Sequence, residues 1–200
     1  MGFLIDANGI HPTTKKVEAI TKAPVPTNVT QLQSYLGMLN FYRRFINNIS
    51  TILEPLNLLL CKDVKWVWGP SQNKAFKDSK AALLNSPVLT HFDPNLPIVV
   101  SADSSSYGVG AVLAHVIDGV ERPCYFASRA LSSAERNYSQ LEKEALALVF
   151  ALKKFHYFIW GQRFTLVSDH KPLLGIFSNE KPIPSIALGR IQRWSLIIQA

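Results

Sequence analysis

Val100-Ser101-Ala102-Asp103 and Leu166-Val167-Ser168-Asp169 are two apolar runs that each close on an aspartate. The first belongs to a predicted strand, Ile98 to Ala102. The second belongs to another, Phe164 to Ser168. Between them the pattern predicts a strand from Tyr107 to Val116, rich in Gly and Val, then a hairpin turn at Asp118-Gly119 and a third strand from Arg122 to Ser128. A long helix follows, Ser133 to Trp160, stopped by Gly161. The order is three antiparallel strands, a helix and a further strand. A helical crossover returns a chain to the same sheet in the parallel sense. If the two aspartate-ended strands are neighbours, both acids therefore stand at one carboxyl edge, where α/β sheets place their ligands. The fold class is α/β, a mixed sheet flanked by helices.

A third carboxylate comes from the long helix. Its core stripe is Leu141, Ala145, Leu148, Val149, Leu152, Phe155 and Ile159. Glu144 lies about 70° from the centre of that stripe and Glu142 about 90°. Glu144 is thus the better placed to reach over the sheet, and Glu142 is expected to be more exposed. Three converging carboxylates repel one another and are stable together when cations sit between them. Oxygen donors select Mg²⁺ or Mn²⁺. Two such ions roughly 3.5–4 Å apart activate a water and stabilise the leaving oxygen of a phosphodiester. Taken singly, each acid also has an ordinary use: Asp103 in a turn, Glu144 as a solvated helix residue, Asp169 as a helix N-cap.

Upstream of this region the chain reads as helical. Phe3 to Ile10 is a hairpin around Asp6-Ala7-Asn8-Gly9. Helices are predicted from Lys15 to Lys22, from Val29 to Phe45 and from Thr51 to Leu60, the last with Pro55 in its first turns. Lys65 to Pro70 is a bend, and Ser71 to Asn85 a further helix. Asp93-Pro94-Asn95-Leu96-Pro97 is a turn at the candidate domain boundary. Downstream, Lys181-Pro182-Ile183-Pro184 reads as a loop and Ile191 to Gln199 as a helix.

The whole chain of 200 residues carries a formal net charge of +7, and the surplus favours a polyanionic partner. Its two cysteines, Cys61 and Cys124, form no metal-ligand pattern and suit a reducing compartment. The start lacks the basic region of a signal peptide, and no apolar run is long enough to span a bilayer. A soluble, intracellular protein is expected, without a membrane partner. Arg43 and Arg44, interleaved with Phe41, Tyr42 and Phe45, are candidate nucleic-acid contacts; the bland alternative is a solvated pair beside core aromatics. Arg129 ends the third strand and His170 follows Asp169, so both are further candidates. A surface salt bridge and a structural histidine are their ordinary roles. Trp66 and Trp68, next to Gly69-Pro70, are better read as packing at a domain junction than as base-stacking rings.

Ser101 to Asp103 through Tyr107-Gly108-Val109-Gly110-Ala111-Val112-Leu113 resembles the first hairpin of the ribonuclease H domain of gypsy-type LTR retrotransposons. Phe126-Ala127-Ser128-Arg129, Tyr138 to Ala147 and Ser168-Asp169-His170-Lys171-Pro172-Leu173 follow in that family's order. Leu36 to Ile46 resembles the thumb of the same polyprotein. The resemblance implies a thumb-like helical region over residues 1–62, a linker helix over 63–96 and a ribonuclease H-like domain over 97–200. It implies cleavage of the RNA strand of RNA–DNA hybrids by two Mg²⁺ or Mn²⁺ ions. The family's first three catalytic carboxylates fall on Asp103, Glu144 and Asp169, and Ser104 stands where the family usually has Ala. The family's last strand and its helix with a fourth Asp are expected to be missing, and no Asp-Asp pair of a polymerase motif is present. The fragment would belong with the fingers, palm and integrase of a pol polyprotein, in a cytoplasmic particle or the nucleus. A catalytically weak or inactive nucleic-acid-binding remnant is the competing reading.

Overall fold

The computed structural model describes residues 2–173 and 189–199. A hairpin of β1 (Phe3–Asp6) and β2 (Gly9–Pro12) leads into α1 (Thr14–Thr21) and α2 (Val29–Phe41). Then come a 3₁₀ turn at Arg43–Phe45, α3 (Ile49–Ile52), α4 (Glu54–Leu58) and α5 (Pro70–Leu84). The second half holds β3 (Ile98–Ser104), β4 (Gly108–Ile117), β5 (Val120–Ala130), α6 (Ser133–Arg136), α7 (Gln140–Ile159), β6 (Phe164–Val167) and α8 (Gly189–Gln199).

The expected mixed sheet is present, in the order β5-β4-β3-β6. β3, β4 and β5 form an antiparallel meander, turned at Asp118 and Gly119, whose φ values of 54° and 76° suit a two-residue hairpin turn. β6 returns parallel to β3, from Ile98 opposite Phe164 to Ser101 opposite Val167. This register sets the ends of β3 and β6 side by side.

Both faces of the sheet are covered, which is why β4 reads as an almost unbroken apolar run. On one face α7 packs Ala145, Leu148, Ala151 and Phe155 against Val100, Ala102, Ala111 and Leu113. On the other, Phe126 and Val112 join the core of the first half, built from Leu32, Leu39, Phe45, Leu56, Phe76 and Leu83. Successive residues of a strand face opposite sides, so Val112 serves one core and Leu113 the other. α5 belongs to this first-half core, and Trp68 packs on Phe76 at 5.8 Å. Polar contacts tie the halves together. Ser50 Oγ lies 2.9 Å from Ser128 Oγ, and Thr51 Oγ1 lies 2.9 Å from Ser105 Oγ. Asn48 fills the space over Gly110, where an added Cβ would come within 1.7 Å of its Oδ1.

Three helices differ from the sequence expectation. α2 stops at Phe41, four residues early, and Arg43 and Arg44 lie in the tighter 3₁₀ turn. The stretch read as one helix from Thr51 to Leu60 is two short ones, with Pro55 accepted in the first turn of α4, where its missing N–H costs nothing. The long helix expected from Ser133 is split into α6 and α7. Ser132 with Glu135 and Ser139 with Glu142 each form a capping box, and the second box restarts the helix. α8 matches the helix expected at Ile191 to Gln199, while the loop expected at 181–184 lies outside the described residues.

Candidate metal centre

Asp103 stands one residue before the end of β3, opposite Gly110, and Asp169 two residues beyond the last residue of β6. Glu144 projects from the second turn of α7. The three residues each offer one carboxylate oxygen, and these oxygens all lie within 4.8 Å of one another. Asp103 and Asp169 are exposed, whereas Glu144 is only 5% exposed.

The hydrogen bonding of Glu144 is asymmetric. Ser104 Oγ donates to its Oε1 at 2.8 Å, and Gln140 Nε2 donates to the same oxygen. Gln140 Nε2 also donates to Ser104 Oγ at 3.2 Å. Oε2 is buried and has no partner. Burial pushes the Glu144 carboxyl above its ordinary pKa; the two donors oppose this, and the charges of Asp103 and Asp169 add to it. A buried carboxylate with one oxygen lacking a donor, gathered with two more carboxylates, is the situation a divalent cation relieves. The donor set is all oxygen, so the residues fit Mg²⁺ or Mn²⁺.

Glu142 is not the exposed residue that helix phase implies: it is 8% exposed, nearly as buried as Glu144. Its Oε2 accepts from Ser139 N at 2.9 Å and from Ser139 Oγ at 3.0 Å, and its Oε1 accepts from Arg190 of α8. Burial raises its pKa, but the Ser139 hydrogen bonds and the Arg190 charge outweigh that and hold the carboxyl below the usual range. Glu142 is thus committed to capping α7.

The three arginine candidates are engaged with partners other than the three acids. Arg129 makes a two-pronged ion pair with Glu135, at 2.7 and 2.8 Å, and holds that carboxyl down at about 2. Arg43 donates to Asn40 Oδ1 at 3.1 Å and to the carbonyl of Ser128, bridging α2 and β5. Both line an open groove of about 450 Å³ with Leu36, Asn40, Ser50 and Leu53. Arg44 stacks over Tyr125, 4.7 Å from its centroid, with a buried Nε that has no partner. His170 lies next to Asp169, its buried Nδ1 also without a partner. Sequence reasoning missed Ser104 and Gln140. The four-residue spacing from Gln140 to Glu144 on one helix could have shown the second. Among the described residues, no helix is long and apolar enough to cross a membrane.

A mixed sheet with its carboxylates gathered at one edge, helices on both faces and a parallel fourth strand defines a ribonuclease H-like fold. Residues 68–166 match the RNase H-like domain found in reverse transcriptase. The whole chain is 34% identical to the Transposon Tf2-3 and Tf2-4 polyproteins of Schizosaccharomyces pombe, and it spans 15% of the length of each. It also superposes along its whole length on a foamy viral protease-reverse transcriptase in complex with dsDNA, with a TM-score of 0.77, 25% identity and 42% of that chain covered. The same enzyme in complex with RNA/DNA hybrid gives a TM-score of 0.74 at 24% identity, with 27% of that chain covered. Over residues 68–166 the chain thus resembles the ribonuclease H-like domain of reverse transcriptase, and over its whole length it is similar to one segment of these transposon polyproteins.

Proposed function

We propose that this chain is the ribonuclease H segment of a retroelement reverse transcriptase, a metal-dependent endonuclease that hydrolyses the RNA strand of RNA–DNA hybrids. The observation that carries the reading is the convergence of Asp103, Glu144 and Asp169, with Glu144 Oε2 buried and unpaired. Two Mg²⁺ or Mn²⁺ ions held by these acids would supply an activated water and charge neutralisation at the scissile phosphate. The chain's own part is to hold three like charges in one place. β3 and β6 present the aspartates at adjacent strand ends, and α7 brings Glu144 in from above.

The +7 surplus favours phosphate contacts, and a hybrid is told from other duplexes by its shape and its 2′-hydroxyls. The related foamy viral enzyme has been captured with RNA/DNA hybrid, which supports this choice of substrate. Arg129 is the leading candidate contact among the bases. The register Ser104–Val109–Arg129 sets it two strands from the acids, about 10 Å across the sheet. His170 adjoins Asp169, and Arg43 shares a groove with Arg129. Arg44, held over Tyr125, would act by supporting that surface. In a polyprotein such as the Tf2 relatives, the fingers, palm and integrase would be the covalent neighbours of this segment.

The test is cleavage of an end-labelled RNA–DNA hybrid in Mg²⁺. The RNA strand should be cut to leave a 3′-hydroxyl, and Asp103→Asn should abolish cutting while leaving the melting behaviour intact. Hybrid binding without cleavage by the unaltered protein would favour a non-catalytic binding module instead. Cleavage that survives Asp103→Asn would move the active site elsewhere.

A further inference from the structure

Glu144 differs from the two aspartates in being held by the chain as well as pushed by it. Its carboxylate faces two like charges within 4.8 Å, so repulsion alone would turn it out of the site. Two donors oppose that. Ser104 comes from the end of β3, directly after Asp103, and Gln140 from the first turn of α7, one turn before Glu144. Both donate to Oε1, and the Gln140 amide also donates to the Ser104 hydroxyl, closing a three-membered network. All the hydrogen bonding of the carboxylate falls on one oxygen, and the other is left buried and bare.

Such a carboxylate cannot rotate about its last torsion without losing both donors. Its free oxygen is set before any cation arrives, and the cost of ordering it is not charged to binding. The network also crosses from strand to helix, so it fixes the distance between the Asp103 end of β3 and the second turn of α7. No other side chain among the described residues donates to Glu144.

We propose that Ser104 and Gln140 are positioning residues of this site, which clamp Oε1 of Glu144 and present Oε2 as the ligand oxygen for a divalent cation. The inference rests on the metal-centre reading above. Ser104 is half-buried and Gln140 exposed, so either can be replaced without opening the core.

The experiment is calorimetric titration of Mn²⁺ into the unaltered protein and the variants Ser104→Ala, Gln140→Ala, Ser104→Thr and Asp103→Asn, with helix content checked by circular dichroism. Removal of a residue that orients a metal ligand typically weakens binding by about 10- to 100-fold. Ser104→Ala and Gln140→Ala should each raise the Mn²⁺ dissociation constant about tenfold, with helix content unchanged. Ser104→Thr keeps the hydroxyl and should stay within about twofold of the parent. In hybrid cleavage the loss should appear in the Mn²⁺ concentration needed for half-maximal rate and be largely recovered at saturating Mn²⁺. Parent-like affinity in both alanine variants, alongside a parent that binds Mn²⁺ and an Asp103→Asn that does not, would overturn the clamp and leave the metal centre standing. A parent that binds no Mn²⁺, or an Asp103→Asn that binds as the parent does, would overturn both.

Discussion

Replacing Glu144 by Gln should make the cation-free protein more stable. Each pair of unit charges 4.8 Å apart, the widest spacing of the three ligand oxygens, costs roughly 1 kcal/mol at the dielectric of water and about 3.5 kcal/mol at an effective value near 20. Asp103 and Asp169 are exposed, so the lower figure governs, and the two pairs together cost about 2 kcal/mol. Gln keeps an acceptor for Ser104 and Gln140 but loses the charge assistance in both bonds, which offsets about 1 kcal/mol. The net gain is about 1 kcal/mol, or 2–4 °C in melting temperature for a chain of this size. Burial raises the Glu144 carboxyl, so the parent loses stability as pH rises above the ordinary glutamate range, and the advantage of the variant exists only where Glu144 is ionised. Thermal melts at neutral pH should therefore rank Glu144→Gln above the parent in EDTA. Mg²⁺ at ten times its dissociation constant should stabilise the parent by about 1.4 kcal/mol and reverse the order. A variant that melts below the parent in EDTA, together with a parent indifferent to Mg²⁺, would refute the electrostatic account of the site.

The Arg129–Glu135 pair makes a pH-dependent contribution of opposite sign. Glu135 is held at about 2, below its ordinary 4.5, so the stabilisation is present above pH 4.5 and is lost as pH falls towards 2. Arg129 is about a third exposed, and solvent screening cuts the effect to about 1–2 kcal/mol. Urea midpoints should show Arg129→Met destabilised by this amount at pH 6 and nearly level with the parent at pH 2; an equal deficit at both would show that the stacking of Arg129 over the Phe150 ring, 5.7 Å from its centroid, is the whole effect. Hybrid binding should weaken steeply between 50 and 200 mM salt, roughly linearly on logarithmic axes, because phosphate contacts release counterions. A dissociation constant flat across that range by fluorescence anisotropy would count against the basic surface as the binding face.

The sheet was legible in the sequence because its signals are local. Asp118-Gly119 marks the hairpin, the β-branched runs mark β3 to β5, and the helix after them requires a parallel return, which β6 makes. The convergence of Asp103, Glu144 and Asp169 follows from strand ends and helix phase, which is why it could be anticipated. What escaped the reading depends on partners remote in sequence. Glu142 is folded back onto Ser139 and met by Arg190 from 48 residues away, and helix phase carries no trace of the second contact. The packing of the first-half helices on the sheet rests on Phe126 and Val112, which look like any strand residues until both cores are seen. The break before α7 was present as Ser139 and Glu142 in capping-box spacing, but the apolar period running through it is the louder signal. The 3₁₀ turn at Arg43–Phe45 has a tertiary cause as well, since Arg43 must reach the carbonyl of Ser128 on β5.

The central claim is that Asp103, Glu144 and Asp169 together hold divalent cations, and anomalous scattering from crystals grown in Mn²⁺ tests it most directly. The account predicts a Mn²⁺ peak in contact with carboxylate oxygens of all three residues, with Glu144 engaged through Oε2 while Oε1 stays on Ser104 and Gln140. Mn²⁺ bound only elsewhere, with Glu144 turned away from the two aspartates, would contradict it.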